Sequence, residues 1–137
     1  MQNFKILPHP ADVAIEVESD TLQELFYGAL LGMNEIIKKG ICEHEMHINQ
    51  TREIEISSHD ATSLLIDFLN EVLFHSNERK AVFCHLDIQT MDNQFLRAEL
   101  RGEKIDHFDE EIKAATYHGA QIMKKGDKFE VQILFDI

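Results

Sequence analysis

Residues 13–40, VAIEVESDTLQELFYGALLGMNEIIKKG, change hydrophobic period from two to between three and four, and that change decides the fold. In Val13-Ala14-Ile15-Glu16-Val17-Glu18 the residues Val13, Ile15 and Val17 point one way and Ala14, Glu16 and Glu18 the other, as in a strand with one face buried. From Leu22 to Lys39 the apolar positions Leu22, Leu25, Phe26, Ala29, Leu30, Met33, Ile36 and Ile37 form one stripe of a helix. Thr21 and Glu24 have the spacing of a capping box, Lys38 and Lys39 suit the negative C-terminal end, and Gly40 suits a left-handed cap.

Upstream, Pro8 and Pro10 bracket His9 and predict an extended loop over Leu7–Asp12. Downstream, Met46–Ser57 reads as a strand with Ile48, Ile54 and Ile56 on one side and Glu53 and Glu55 on the other. A second helix is predicted from Ala61 to Phe74, with Asp60 as its N-cap. Further strands are predicted at Val82–Gln89, Phe95–Glu103, Ile112–Met123 and Phe129–Phe135, with turns at Met91–Gln94 and Lys125–Asp127. Lys104–Glu111, charged and without apolar periodicity, is the predicted flexible excursion. The order strand, helix, strand, helix and then strands defines an α+β fold, a single domain over residues 1–137 with two amphipathic helices packed on a mostly antiparallel sheet.

Composition narrows the function. Thirteen Lys and Arg against 25 Asp and Glu leave a net charge of -12 among 137 residues, the wrong sign for gripping a phosphate backbone, so no direct nucleic-acid binding is expected. A basic protein partner or a cation fits the charge better. Cys42 and Cys84 form neither a Cys-x-x-Cys pair nor a disulfide framework, which points to a reducing interior. Met1–Asp12 has no cationic segment followed by an apolar run, and no stretch of about 18 apolar residues occurs, so no membrane association and a cytoplasmic location are expected.

Asp12 and Asp136 both stand at predicted strand edges. In the last strand Phe129, Val131, Ile133 and Phe135 share a face, which places Asp136 on the opposite one. If the two strand ends are neighbours, Asp12, Asp136 and the α-carboxylate of Ile137 converge as oxygen donors for a hard cation such as calcium or magnesium; otherwise they are two solvated acids. Cys42, His44 and His47 contain zinc-ligand chemistry, but His44 and His47 would project to opposite faces of an extended segment. Lys113 is a cation beside Asp106, Asp109, Glu110 and Glu111, a pattern that surface charge balance also produces. No nucleophile elbow, phosphate-cradling loop, zinc-protease helix or dinucleotide fingerprint occurs.

Four segments together resemble one family. His9-Pro10-Ala11-Asp12 is similar to the His-Thr-Ala-Asp signature of archeases, and Leu64–Leu73 to their Leu-Leu-x-x-x-Leu-Asn-Glu-x-Leu helix. Glu111–His118 resembles their Glu-Val-Lys-Ala-x-Thr-Tyr-His strand, and Phe135-Asp136-Ile137 their chain-terminal Phe-Asp-Ile. Pro10 stands where threonine is usual and Phe68 where tryptophan is common. The resemblance covers essentially the whole chain and implies an SHS2-like archease fold. It also implies a non-catalytic activator of an RtcB-type RNA ligase in tRNA splicing and RNA repair, promoting the ligase's guanylylation and turnover. Asp12, Asp136 and Ile137, through its terminal carboxylate, would hold a divalent metal, calcium before magnesium, with Lys113 a functional residue beside it. The alternatives are a small metal-dependent hydrolase with His9 or His118 as general base, and a generic interaction module or chaperone; turnover by the isolated chain separates the hydrolase from the others.

Overall fold

In a computed structural model, which describes residues 1–8 and 12–137, the period-two segment forms β2 (Asp12–Ser19), with Val13, Ile15 and Val17 buried. Before it lies a strand that the sequence reading did not foresee, β1 (Gln2–Pro8), antiparallel to β2 from Gln2 opposite Ser19 to Pro8 opposite Val13, so Leu7 and Pro8 of the expected loop belong to β1 and Asp12 to β2. Phe4 and Ile6 alternate with Asn3 and Lys5, but that signal is short, and the pairing that makes it a strand is supplied by β2. Pro8 is tolerated because β1 ends there and lies at the edge of its sheet. The middle of the expected extended loop, residues 9–11, lies outside the described residues.

Helix α1 (Leu22–Ile37) starts as its capping box predicts, the Glu24 N–H donating to Thr21 Oγ1 at 3.1 Å. It ends at Ile37, two residues before the expected Lys39, with an extended Lys38 as its C-cap; Gly40, the expected left-handed cap of the helix, has φ 77° but stands three residues past Ile37, where it leads into the next turn. A short 3₁₀ turn, Ile41–Glu43, follows. Close approach of α1 to the sheet depends on Gly28, where a Cβ would come within 2.7 Å of Val17 Cγ1.

Strand β3 (Gln50–Ser57) begins later than the expected Met46, so Ile54 is buried but Ile48 stays 45% exposed outside the strand. Helix α2 runs from Ala61 to Arg79, past the expected end at Phe74. Its apolar stripe fades after Leu73, but the buried Ser76 keeps the last turns against the domain. Phe68 meets Phe26 of α1 at 5.5 Å between ring centroids. Asp60 caps α2 by accepting from the Ser63 N–H at 2.7 Å, and that backbone bond holds its carboxyl below the ordinary 3.8. A depressed folded-state value means that the cap's contribution is present above about pH 4 and is lost as the pH falls further. An Asp60→Asn variant, which keeps the acceptor without titrating, should show a flatter stability profile below pH 4 in urea melts.

The remaining strands are β4 (Ala81–Met91), β5 (Phe95–Lys104), β6 (Ala114–Thr116), β7 (Met123–Lys125) and β8 (Lys128–Asp136). The expected single sheet is two: β1-β2-β8-β6 with β7 also on β8, and β3-β5-β4, every pairing among the described residues antiparallel. The expected strand Ile112–Met123 is broken into β6 and β7 by a turn in which the Ala120 N–H donates to the Tyr117 carbonyl and Gly119 has φ 69°. Both predicted hairpin turns are present: Gln94 N–H donates to Asp92 Oδ1 at 2.7 Å, and Gly126 has φ 60° between β7 and β8.

Lys104–Glu111 carries no helix or strand beyond Lys104 but is tethered. The Asp109 N–H donates to the Ile37 carbonyl at 2.7 Å, Asp109 Oδ2 accepts from the Lys39 N–H at 3.1 Å, and the adjoining Ile112 is 2% exposed. The polar stretch therefore caps the C-terminal end of α1. Cys42 in the 3₁₀ turn and Cys84 in β4 form a disulfide across a sequence separation of 42, with Cα atoms 5.5 Å apart. Two cysteines far apart in sequence are thus neighbours in space, and their usage does not point to a reducing compartment. Among the described residues no helix is long and apolar enough to cross a membrane.

Candidate metal centre

The antiparallel ladder between β2 and β8 places Asp12 directly opposite Asp136. Strand alternation sends their neighbours Val13 and Phe135 into the core and both aspartates to the other face, where Asp136 is exposed and Asp12 half-buried. Directly opposed residues in such a ladder have Cβ atoms about 4.5–5.5 Å apart, and like charges there repel. Carboxylate oxygens so opposed are hard donors, of the kind that calcium or magnesium takes.

On the other side of β8, β6 sets Ala114 opposite Asp136, and the Lys113 N–H donates to the Asp136 carbonyl at 2.8 Å. Lys113 is thus tied by its backbone to the residue that bears one of the two carboxylates, with its side chain exposed. Ile137 follows β8 and is half-buried against the core. Three of the four residues singled out by sequence, Asp12, Asp136 and Lys113, meet at one end of the five-stranded sheet, and Ile137 adjoins them in sequence. Among the described residues no three His, Cys, Asp or Glu side chains gather as a metal cage. A cation at the pair would need oxygens beyond these two carboxylates, and Ile137 is the nearest in sequence to supply one.

The other candidates disperse. His9 lies outside the described residues, and His118 is exposed in the turn after β6. Cys42 is in the disulfide, while His44 Nε2 lies 3.4 Å from Glu103 Oε2 and the His47 N–H donates to Glu103 Oε1 at 3.3 Å, so zinc chemistry has no assembled donor set there. An open groove of about 620 Å³ runs along the same outward sheet face, lined by Asn3, Lys5, Glu16, Glu18, Glu130 and Gln132 among others. None of Asp12, Lys113 and Asp136 lines it, and the register of the opposed carboxylates is the better guide to chemistry than the size of that hollow.

Sequence reasoning missed a set of polar side chains on α2. Asn70 Nδ2 donates to the Ala115 carbonyl at 3.0 Å, and Asn70 Oδ1 accepts from the Ala115 N–H at 2.8 Å. Asp67 accepts from the Tyr117 hydroxyl and from Ser58 Oγ, and the bond to Asp67 raises the Tyr117 pKa. The available signal was their place in the sequence: Asp67 and Asn70 are three apart within an apolar run, one side of a helix that has to face something.

The Archease protein family (MTH1598/TM1083) model matches residues 4–137. The chain is 31% identical over 144 residues to protein archease of Methanosarcina barkeri, covering 99% of this chain and 97% of that protein. It is 30% identical over 145 residues to protein archease of Pyrococcus abyssi, covering 100% of both. Among solved structures, the solution structure of Methanobacterium thermoautotrophicum protein 1598 superposes with a TM-score of 0.77 at 26% identity, covering 98% of each chain. An archease of Thermotoga maritima described as a possible chaperone superposes with a TM-score of 0.64 at 22% identity over 97% of this chain and 96% of that one, a likeness of fold alone. With two curated relatives aligned nearly end to end and the fold shared, the chain belongs to the archease family.

Proposed function

We propose that the chain is a non-catalytic activator of an RtcB-type RNA ligase, acting in the cytoplasm in tRNA splicing and RNA repair by promoting the ligase's guanylylation and turnover. The observation that carries this reading is the register that sets Asp12 opposite Asp136 and brings Lys113 onto Asp136 from the far side. In this reading Asp12, Asp136 and an oxygen of Ile137 hold calcium or magnesium, which neutralises the two opposed carboxylates. Lys113, tied by its backbone N–H to the Asp136 carbonyl, offers an exposed side chain at the same end of the sheet. With a net charge of -12, the chain engages the ligase protein and leaves RNA to its partner.

Single-turnover and multiple-turnover ligation by the cognate ligase, with and without this chain, tests the reading. Both rates should rise with the chain present, and the isolated chain with magnesium should turn over no phosphoester or nucleotide. Indifference of the ligase in both regimes refutes it. Lys113→Ala should keep its melting temperature within a few degrees, because an exposed lysine contributes little to stability, yet lose most of the stimulation; a fully active variant removes Lys113 from the site.

A further inference from the structure

β6 is only three residues long, and it is paired along one side, to β8. On its other side stands Asn70, whose amide bonds both the N–H and the carbonyl of Ala115 and so replaces the hydrogen bonds a further strand would make. Two more residues of α2 hold the chain beyond it: Asp67 accepts from the Tyr117 hydroxyl, and Thr62 Oγ1 accepts from the Ile122 N–H at 3.0 Å. Ala115 is 3% exposed, so losing the Asn70 amide would leave its backbone groups poorly satisfied.

Register is the quantity at stake. Lys113 lies two residues before Ala115, and its N–H bonds the Asp136 carbonyl. A slip of β6 by one residue turns every side chain to the opposite face, and a three-residue strand has few ladder bonds to resist it. An asparagine that donates to one group of Ala115 and accepts from the other bonds that residue alone. An aspartate there keeps the acceptor and sets an anion against the carbonyl; an alanine keeps neither bond.

We propose that Asn70 is a positioning residue: its two-point clamp on Ala115 locks β6 in register and thereby fixes Lys113 beside Asp136. The proposal deepens the activator reading and rests on it for its functional half, while its structural half stands on the hydrogen bonds alone.

The test compares the wild-type chain with Asn70→Ala, Asn70→Asp, Lys113→Ala and the double variant Asn70→Ala/Lys113→Ala. One readout is amide hydrogen exchange. In Asn70→Ala, residues 113–116 should exchange at least several-fold faster while the β2 amides of Val13, Ile15 and Val17 are unchanged, and Asn70→Asp should fall between. The second readout is the maximum stimulation of the ligase at saturating activator. Asn70→Ala should drop to nearly the Lys113→Ala level, and the double variant should be no worse than Lys113→Ala, since both changes remove one thing. If the two defects multiply in the double variant, or Asn70→Ala stimulates fully while Lys113→Ala does not, Asn70 does not act through Lys113. Should Asn70→Ala fail to fold, Asn70→Asp carries both readouts, with partial losses expected and wild-type behaviour in both refuting the clamp. If the wild-type chain leaves the ligase indifferent, the activator reading fails by itself, and exchange at 113–116 decides the clamp separately.

Discussion

Phe68→Ala should lower the unfolding free energy by about 3–5 kcal/mol, the usual loss for emptying a buried aromatic site. Phe68 is fully buried in α2 and its ring stands 5.5 Å from that of Phe26, itself fully buried in α1, so the change removes a contact between the two helices as well as apolar area. The surroundings are poorly placed to close the gap. α1 is held to its sheet at Gly28 by a close approach, and α2 is capped by Asp60 at one end and clamped to β6 by Asn70 along its length. A cavity that cannot collapse costs both the transfer term and the lost contacts. Against a total stability of about 5–15 kcal/mol for an ordinary domain, that is a large share. Urea unfolding should show a lower midpoint at unchanged slope. Phe74→Ala is the control on the same helix, since Phe74 is 56% exposed and should cost well under 1 kcal/mol. Similar losses for the two variants would contradict the packing of Phe68 against Phe26.

What the sequence made legible was whatever a single segment encodes by itself. Alternation marked β2 and β8, the apolar stripe and the Thr21 and Asp60 caps marked the starts of both helices, and Gly126 marked the last hairpin. Facts that belong to pairs of distant segments were not legible. β1 has only a short alternation, Phe4 and Ile6 against Asn3 and Lys5, and becomes a strand by pairing with β2; the strands divide between two sheets according to partners, which no local pattern names. The disulfide joins residues 42 apart because the 3₁₀ turn and β4 both pack against α1. Asn34 illustrates the same limit: a polar residue in an apolar stripe, buried completely, it donates from Nδ2 to the Phe83 carbonyl where β4 shifts register against β5.

The site divides in the same way. Asp12 and Asp136 were each visible as an acid at a strand edge, and the family resemblance selected them, but their opposition is a property of the β2–β8 register. Asn70 stood in a quoted motif without a role, because the strand it clamps comes 45 residues later. Side chains that satisfy another segment's backbone look, in sequence, like ordinary polar positions on a helix.

Asp136→Asn should abolish stabilisation of the chain by calcium while leaving the fold intact. A ligand that binds only the native state adds RT ln(1 + [L]/Kd), about 2.7 kcal/mol at a hundredfold excess over the dissociation constant, so the wild-type melting temperature should climb by several degrees as calcium is added. The asparagine is nearly isosteric and keeps the backbone that accepts from the Lys113 N–H, and the buried residues Val131, Ile133 and Phe135 of β8 are untouched. It removes one of two like charges set opposite each other in the ladder, so without metal the variant should be at least as stable as the wild type. It also replaces a hard anionic donor by a neutral amide, which a divalent cation rewards far less. Thermal melts of both proteins in chelator and across a calcium series separate the two effects: the chelator melts report the relief of repulsion, and the slope against calcium reports the site. Ligase stimulation by the variant should fall toward the level without activator. If its melting temperature rises with calcium as steeply as the wild type's, Asp136 is not a ligand and the opposed carboxylates are not the metal centre.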